Sequence, residues 1–177
     1  MKLIIIYGPP GVGKLTISEE IAKINGYKIF QNNLSFHLTN CILEHETEEF
    51  RQLNRKIKYL IIEEAAKQGF EGLISTVCLQ KGVSDSYIEE AEKIVKKYGG
   101  KLYLIHLSCD EKVLFERVPN KDREKHGKVT DIEFLKIKMK EKDLISPIDN
   151  VESLEVDTTK MRPEEAAKKI IEYISKP

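Results

Sequence analysis

The chain has 177 residues, a length that fits one domain with its own hydrophobic core, and we expect a single domain over 1–177. Its 29 lysines and arginines equal its 29 aspartates and glutamates, so the summed charge excludes a broad positive field for nucleic acid. The apolar run over 3–7 is too short to span a bilayer. The three cysteines show no metal spacing, so we expect reduced thiols, a cytoplasmic protein and no membrane partner.

The first half of the chain alternates strand and helix patterns. The apolar run from Leu3 to Tyr7 predicts a buried strand, and apolar residues at helical spacing then predict a helix that stops at Asn25-Gly26. A short strand over 27–30 follows, and a long helix is predicted from about 48 to 68. We expect the buried face of the long helix to carry Leu53, Ile57, Leu60 and Ile61.

The second half repeats the alternation. Further elements are predicted as strands over 73–77, 102–107 and 154–156 and as a helix over 84–98. Ser108 and Thr130 each precede a glutamate by three residues, a capping-box pattern that predicts helices ending near 118 and 143. Pro163 opens the last helix as its first residue. This alternation predicts a three-layer α/β/α sandwich with a five-stranded parallel sheet, whose ligands bind at the carboxyl ends of the strands.

A glycine-rich segment follows the first predicted strand. Gly8 to Lys14 satisfies the pattern G-x-x-x-x-G-K, in which backbone N–H groups face phosphate oxygens and the lysine reaches the β and γ phosphates. The next helix adds its positive N-terminus. We expect nucleotide contacts from the loop and the two residues after it, which are Gly8, Pro9, Pro10, Gly11, Val12, Gly13, Lys14, Leu15 and Thr16.

Leu15 stands where most P-loops place the Ser or Thr that ligates magnesium, and Thr16 comes one position later. This form of the loop resembles that of adenylate kinases. The order of elements is similar to that of the small P-loop kinases, the nucleoside-monophosphate kinase and shikimate kinase group. The resemblance implies the fold of P-loop nucleoside triphosphate hydrolases, with ATP and Mg²⁺ as cofactors. It also implies that Thr16 contacts a phosphate and that the magnesium ion is held largely through water.

Two of the five arginines, Arg117 and Arg123, lie in a basic segment that resembles the mobile lid of these kinases, at about 117–130. By that resemblance Arg117 borders the adenine and Arg123 reaches the transferring phosphoryl group, which a planar guanidinium suits. A solvated basic loop between two helices is the alternative. Asp157 and Thr158, after the last strand, are similar to the turn that borders adenine, and a plain start of the last helix is a compatible interpretation.

The carboxylates usual in this group after the second and third strands are missing, because Gln31-Asn32-Asn33 and Thr76-Val77-Cys78 stand there. Either positioning alone activates the acceptor, or another group such as His37, Asp85 or Glu44 serves, or no transfer occurs. His37 has the chemistry of a base near neutral pH, but a lone histidine is also an ordinary surface residue.

The acceptor site is predicted between 31 and 50. Asn32 and Asn33 offer hydrogen bonds to a polar substrate. Arg51 and Arg55, one helical turn apart, would clamp an acidic acceptor or pair with Glu48 and its acidic neighbours.

Two functions follow from these residues. One is an ATP-dependent phosphotransferase acting on a small hydroxyl- or phosphate-bearing metabolite or nucleotide, with Lys14 and Arg123 stabilising the transferring group. The other is a nucleotide-binding regulator or slow NTPase. The expected partners are a nucleoside triphosphate and a small-molecule acceptor, and the sequence decides neither ATP against GTP nor monomer against homodimer.

Overall fold

A computed structural model describes residues 1–45, 47–80, 84–120, 129–149 and 151–176. Within them the strands are β1 Lys2–Tyr7, β2 Lys28–Gln31, β3 Gly72–Val77, β4 Lys101–Ser108 and β5 Leu154–Asp157. The helices are α1 Lys14–Asn25, α2 Asn32–Asn40, α3 Glu48–Lys67, α4 Asp85–Lys97, α5 Glu111–Arg117, α6 Ile132–Glu141 and α7 Pro163–Ile174. Among these helices, none has the length and apolarity that crossing a bilayer requires.

The five strands form one parallel sheet in the order β2-β3-β1-β4-β5. The first strand therefore lies in the centre, between β3 and β4, although each of them follows it by many residues in the chain. The predicted five-stranded parallel sheet is confirmed. The carboxyl end of β1, from which the glycine-rich segment departs, is the place where such sheets bind ligands.

Helices cover both faces of the sheet. Ile4 and Ile6 of β1 pack into a core that includes residues of α1 and α7, whereas Leu3 and Ile5 pack into a second core with α3 and α4. All four side chains are fully buried. Because successive strand residues point to opposite faces, a continuous apolar run supplies both cores, and the three-layer sandwich follows.

The buried face of α3 differs from the prediction. Leu60 is 63% exposed, whereas Ile62 is fully buried. The residues that α3 buries are Phe50, Asn54, Ile62, Ala65 and Ala66. The prediction was wrong for Leu60, whereas Ile61 does pack against the second core. The prediction counted only large apolar residues and therefore missed two small alanines and an asparagine.

Two predicted helix caps are displaced by one or two residues. The Asp131 carboxylate accepts a hydrogen bond from the Phe134 N–H at 3.0 Å and caps α6, one residue after Thr130. Ser108 is the last residue of β4, and Asp110 is the N-cap of α5. Aspartate caps as well as serine or threonine does, so the capping-box pattern found the helices but not their first residues.

Candidate functional site

The segment between β1 and α1 is a loop whose shape depends on glycine. Gly8, Gly11 and Gly13 have φ angles of +139°, +91° and +102°, which side chains rarely permit. A Cβ atom at Gly8 would lie 2.3 Å from the Leu107 carbonyl oxygen, and one at Gly11 would lie 2.9 Å from Val118 Cγ2. The loop is therefore pressed against β4 and the end of α5, which holds its backbone in one conformation.

The loop leads into the N-terminus of α1. Gly13 is the N-cap and offers no side-chain oxygen to the first N–H groups of the helix, and the first turn contains no acidic residue. The positive end of the helix is therefore neither capped nor neutralised by its own side chains. An anion bound in the loop would meet both the free N–H groups and the helix dipole.

The Lys14 ammonium folds back over the rim of the loop. Its Nζ donates to the carbonyl oxygens of Gly8 and Pro9, at 2.7 and 2.8 Å, and lies 3.4 Å from the Cys78 sulfur. The ammonium thus sits between the loop and the end of β3. This position suits a cation that neutralises phosphate oxygens entering from the same side.

A cavity of about 910 Å³ opens at the carboxyl ends of the strands. It joins the loop to α2 and to the end of β3, through Phe36, Thr76 and Cys78. The predicted site residues that line it are Pro10, Gly11, Val12, Gly13, Lys14, Leu15, Thr16, Asn32, Asn33, Arg117 and Thr158. The residues predicted for nucleotide and for acceptor therefore share one cavity, whose size is at the upper end for small-molecule sites.

Thr158 ties the loop to two other elements. Its buried hydroxyl lies 3.0 Å from the Val12 carbonyl oxygen and 3.1 Å from that of Ser108. Arg117 donates to Thr158 Oγ1 and to the Thr158 carbonyl oxygen, at 3.2 and 2.9 Å. Arg117 is thus held at the wall of the cavity by the turn that follows β5.

Asp157 faces solvent and does not line the cavity. Its carboxylate accepts hydrogen bonds from the Thr159 hydroxyl at 2.6 Å and the Thr159 N–H at 2.8 Å. These bonds stabilise the charged form and lower the pKa of Asp157. Its visible role is to shape the turn before α7.

Neither His37 nor Arg51 lines the cavity, and Gly8 and Pro9 of the loop lie outside its lining as well. His37 is exposed and lies edge-on to Phe36, with 5.8 Å between ring centroids. Arg51 donates from Nε to the Glu48 carboxylate at 2.9 Å. This pairing was the predicted alternative to binding an acidic acceptor. Arg123 and most of the predicted lid fall in 121–128, outside the described residues. The functional roles assigned to His37, Arg51 and Arg123 stay predictions.

The donors around the cavity fit magnesium that is held mainly by a nucleotide. Thr16 lines the cavity and offers a hydroxyl, and Glu19 supplies the single carboxylate among the lining residues in the described part of the chain. In that part no three His, Cys, Asp or Glu residues are grouped to hold a metal by themselves. Mg²⁺ keeps several waters and binds through substrate phosphates, so this sparse donor set suits it.

Two residues near the cavity were not selected as site residues from the sequence. Cys78 directly follows β3 and lines the cavity, in the position where the missing carboxylate was sought. Lys58 of α3 interacts electrostatically with Cys78, and burial, with a smaller contribution from Arg55, lowers the pKa of Lys58 to about 8. Its signal in the sequence is position: Phe50, Asn54, Lys58 and Ile62 recur every four residues on one helix face.

A parallel sheet with a glycine cradle after its central strand and a lysine over the rim defines a nucleotide-binding protein of the P-loop class. The family model described as "AAA domain" matches residues 4–162, and the chain belongs to that family. A search among curated protein sequences finds no match to the chain.

Solved structures with the same fold include kinases. A sugar kinase from Janibacter sp. HTCC2649 is 15% identical, with a TM-score of 0.70 and coverage of 98% of this chain and 94% of that one. A gluconokinase from Sinorhizobium meliloti is 19% identical, with a TM-score of 0.62 and coverages of 98% and 95%. The Mycobacterium tuberculosis APS kinase CysC is 15% identical, with a TM-score of 0.63 and coverages of 99% and 98%. The resemblance to small P-loop kinases is therefore confirmed for the fold.

Proposed function

We propose that the protein is an ATP-dependent phosphotransferase acting on a small acceptor. The observation that carries the proposal is the single cavity that contains the glycine loop, α2 and the end of β3. At about 910 Å³ it has room for the phosphates of a nucleotide and for a second molecule opposite them. The three kinases named above cover nearly the full length of this chain, which supports the same class of reaction.

The nucleotide side of the reaction follows from the loop. Backbone N–H groups of the loop and of the first turn of α1 would bind the β and γ phosphates, and Lys14 would exchange its bonds to Gly8 and Pro9 for phosphate oxygens. Thr16 and the ATP phosphates would hold Mg²⁺, which would neutralise charge between the phosphates. Arg123 is proposed to complete this set when the phosphoryl group moves, and Arg123→Ala should then lower turnover far more than affinity.

The acceptor side has amides instead of carboxylates. Asn32 and Asn33 line the same cavity as the loop and offer donors and acceptors for a polar molecule. Phosphoryl transfer depends mainly on position and charge, so an acceptor held in line with the γ phosphate can react without a strong base. We propose that this site works by positioning, with the identity of the acceptor set by its fit to α2 and α3.

One observation favours a second function. Apart from the exposed Glu19, the cavity residues in the described ranges carry no carboxylate, and β3 ends in Thr76-Val77-Cys78. A chain that binds ATP without an acceptor base would suit a regulator or slow NTPase. Under either function we expect a cytoplasmic monomer or homodimer.

ATP turnover with Mg²⁺, measured with and without a panel of sugars, sugar acids, nucleosides and nucleoside monophosphates, tests the proposal. Acceptor-stimulated ADP release, with phosphorylated product, is expected, and Lys14→Ala should abolish it. Lys23→Ala is the matched control, because Lys23 lies on the same helix and pairs with Glu20 in solvent. Tight ATP binding without stimulation by any acceptor would support the regulator instead.

A further inference from the structure

The helix α2 buries polar residues and exposes apolar ones. Its buried residues are Ser35 and Thr39. Leu34 and Leu38 are 55% and 60% exposed, and Ile42, in the turn that continues the helix, is 74% exposed. A helix of a globular protein normally turns its apolar side chains toward the core. The packing of a single copy of the chain therefore does not explain these three apolar residues.

Leu34, Leu38 and Ile42 form a stripe along the outer side of α2, which we call the apolar stripe. They recur at every fourth position and so lie on one helix face. The inner side of the helix packs against α3, where the Ser35 hydroxyl donates toward the amide oxygen of Asn54 at 3.5 Å. In the part of the chain that the structure describes, nothing covers the apolar stripe. Exposed apolar side chains grouped in this way mark an interaction surface.

The apolar stripe lies in the longest uncharged segment of the sequence. Residues 29–43 contain no Asp, Glu, Lys or Arg, although 33% of the chain is charged. A highly charged partner would have to bury its charges against this face without any counter-charge, which is costly. A second copy of the chain brings the same uncharged face, and a twofold axis through the stripe sets apolar side chains against apolar side chains. The surface therefore fits a second copy better than a charged partner.

The two ends of α2 are complementary in charge. At the N-terminus no side chain caps the helix, and the first turn contains no acidic residue, so the positive end of the dipole is not neutralised. Beyond the other end, the exposed Glu44 adds its charge to the negative end of the dipole. Antiparallel pairing of two α2 helices places the negative end of each beside the positive end of the other. Parallel pairing would instead bring like ends together.

We infer that the protein forms a twofold-symmetric homodimer, in which the apolar stripes of two α2 helices pack antiparallel with Leu38 at the centre. A specific interface buries about 800 Å² on each partner, so the stripe would form only its core. The rim would be formed by the exposed, uncharged residues beside the stripe, which are His37, Asn40 and Cys41. The same helix carries Asn32 and Asn33 of the cavity wall, so the dimer would also fix their position.

Sedimentation of the full chain over a range of protein concentrations tests the inference. We expect a dimer that dissociates on dilution. Leu38→Asp should weaken it by about a hundredfold or more, because each copy loses a buried leucine and gains a buried charge. Ile24→Asp and Ile137→Asp are matched controls, since these side chains are 58% and 53% exposed on α1 and α6, and both variants should dimerise as the unmodified chain does.

Two results of this experiment would overturn the inference. One is an unmodified chain that stays monomeric at every concentration, which would leave the stripe to another occupant. The other is a dimer that persists in Leu38→Asp, whether or not a control variant loses it, since the contact would then lie elsewhere. Neither result depends on ATP turnover, so the failure of this inference is distinguishable from that of the proposed phosphotransfer.

Glu44→Gln tests the antiparallel order. The change removes a charge that would face the positive end of the opposite helix in both halves of the dimer, so we expect dimerisation to weaken by about threefold to tenfold. In a parallel pair the same change would relieve repulsion between two like charges. An equal or tighter dimer in Glu44→Gln would therefore contradict the antiparallel arrangement.

The native cysteines allow a measurement without any substitution. Cys41 and Cys78 are both exposed, but Cys41 borders the apolar stripe and Cys78 lines the cavity. As rising protein concentration fills the dimer, alkylation of Cys41 followed by mass spectrometry should slow severalfold relative to that of Cys78. A ratio of the two rates that stays constant while the dimer forms would show that the interface does not include the outer side of α2.

Discussion

The guanidinium of Arg117 holds both the hydroxyl and the carbonyl oxygen of Thr158, at 3.2 and 2.9 Å. The same hydroxyl lies within 3.0 Å of the Val12 carbonyl oxygen in the glycine loop. The end of α5, the turn after β5 and the phosphate cradle are therefore joined through one side chain. Thr158 was predicted only to border the adenine. It also supports the glycine loop, which lies far from it in the sequence.

We expect Thr158→Val to weaken ATP binding severalfold and to lower the free energy of unfolding by about 1–3 kcal/mol. The change leaves the buried Val12 carbonyl without its partner and removes one bond to Arg117. Isothermal calorimetry and urea unfolding measure the two effects. Thr158→Ser keeps the hydroxyl and serves as the control. An unchanged affinity in Thr158→Val would show that the loop does not depend on this bond.

Gly8→Ala should lower the free energy of unfolding by about 2–4 kcal/mol. The new Cβ would lie 2.3 Å from a backbone oxygen, and the φ of +139° resists any side chain. Gly26→Ala is the control, because Gly26 has a φ of +69° but no atom within 4 Å of the added carbon. We expect about 1 kcal/mol there. Equal losses measured by urea unfolding would contradict the collision with β4.

Lys58 should make stability depend on pH between 8 and 10.5. Burial lowers its pKa to about 8 in the folded chain from an ordinary 10.5, so below pH 8 it is charged in both states and destabilises the fold. Above pH 8 the folded chain releases this proton before the unfolded chain does, and stability rises with pH. Lys58→Met should therefore be more stable than the unmodified chain at pH 7.

The advantage of Lys58→Met should shrink steadily as the pH approaches 10.5. Urea unfolding at pH 7 and pH 9.5 measures the change, and the exposed Lys56→Met variant provides the comparison, for which no such trend is expected. A difference between Lys58→Met and the unmodified chain that stays constant across this range would show that Lys58 is not charged in a buried position.

The contribution of the loop lysine gives a further prediction. Lys14→Met should weaken ATP binding by about tenfold to a hundredfold, a loss of roughly 1.5–3 kcal/mol, because an uncharged side chain makes no charge-assisted bonds to phosphate. The expected loss of binding free energy is smaller than the sum of all the contacts that Lys14 makes with phosphate. Without nucleotide, Lys14 already bonds to Gly8 and Pro9 in the loop itself. Fluorescent ATP titration measures it. An unchanged dissociation constant would refute the phosphate role of the loop.

Local patterns predicted the fold well because each one has a single physical origin. The run Leu3–Tyr7 can be buried on both faces only in a covered parallel sheet, and the loop after it has few uses other than binding phosphate. The face of α3 was harder, since Asn54, Ala65 and Ala66 do not look like core positions when only large apolar residues are counted. Their places follow from tertiary packing, which a single helix pattern does not contain.

The candidate site was predicted where it lies within one segment and was incomplete where it joins distant ones. The whole glycine loop could be identified in the sequence, because it follows β1 directly. Asn32 and Asn33 could also be identified, because they follow β2 directly. Arg51 was selected on its spacing from Arg55. Its pairing with Glu48 and the inward direction of Lys58, which was not considered, depend on how α3 is rotated against the sheet.

The glycine loop has a consequence for how the protein is made. Its residues leave the ribosome well before the groups that fix its shape, which are the Leu107 carbonyl, Val118 and finally the Thr158 hydroxyl. The central strand beneath it must likewise wait for β3 and β4 to be synthesised before it has neighbours. Contacts so distant along the chain form slowly. A nascent chain that ends before Thr158 would therefore carry the complete nucleotide-binding motif and still lack a contact that fixes the cradle.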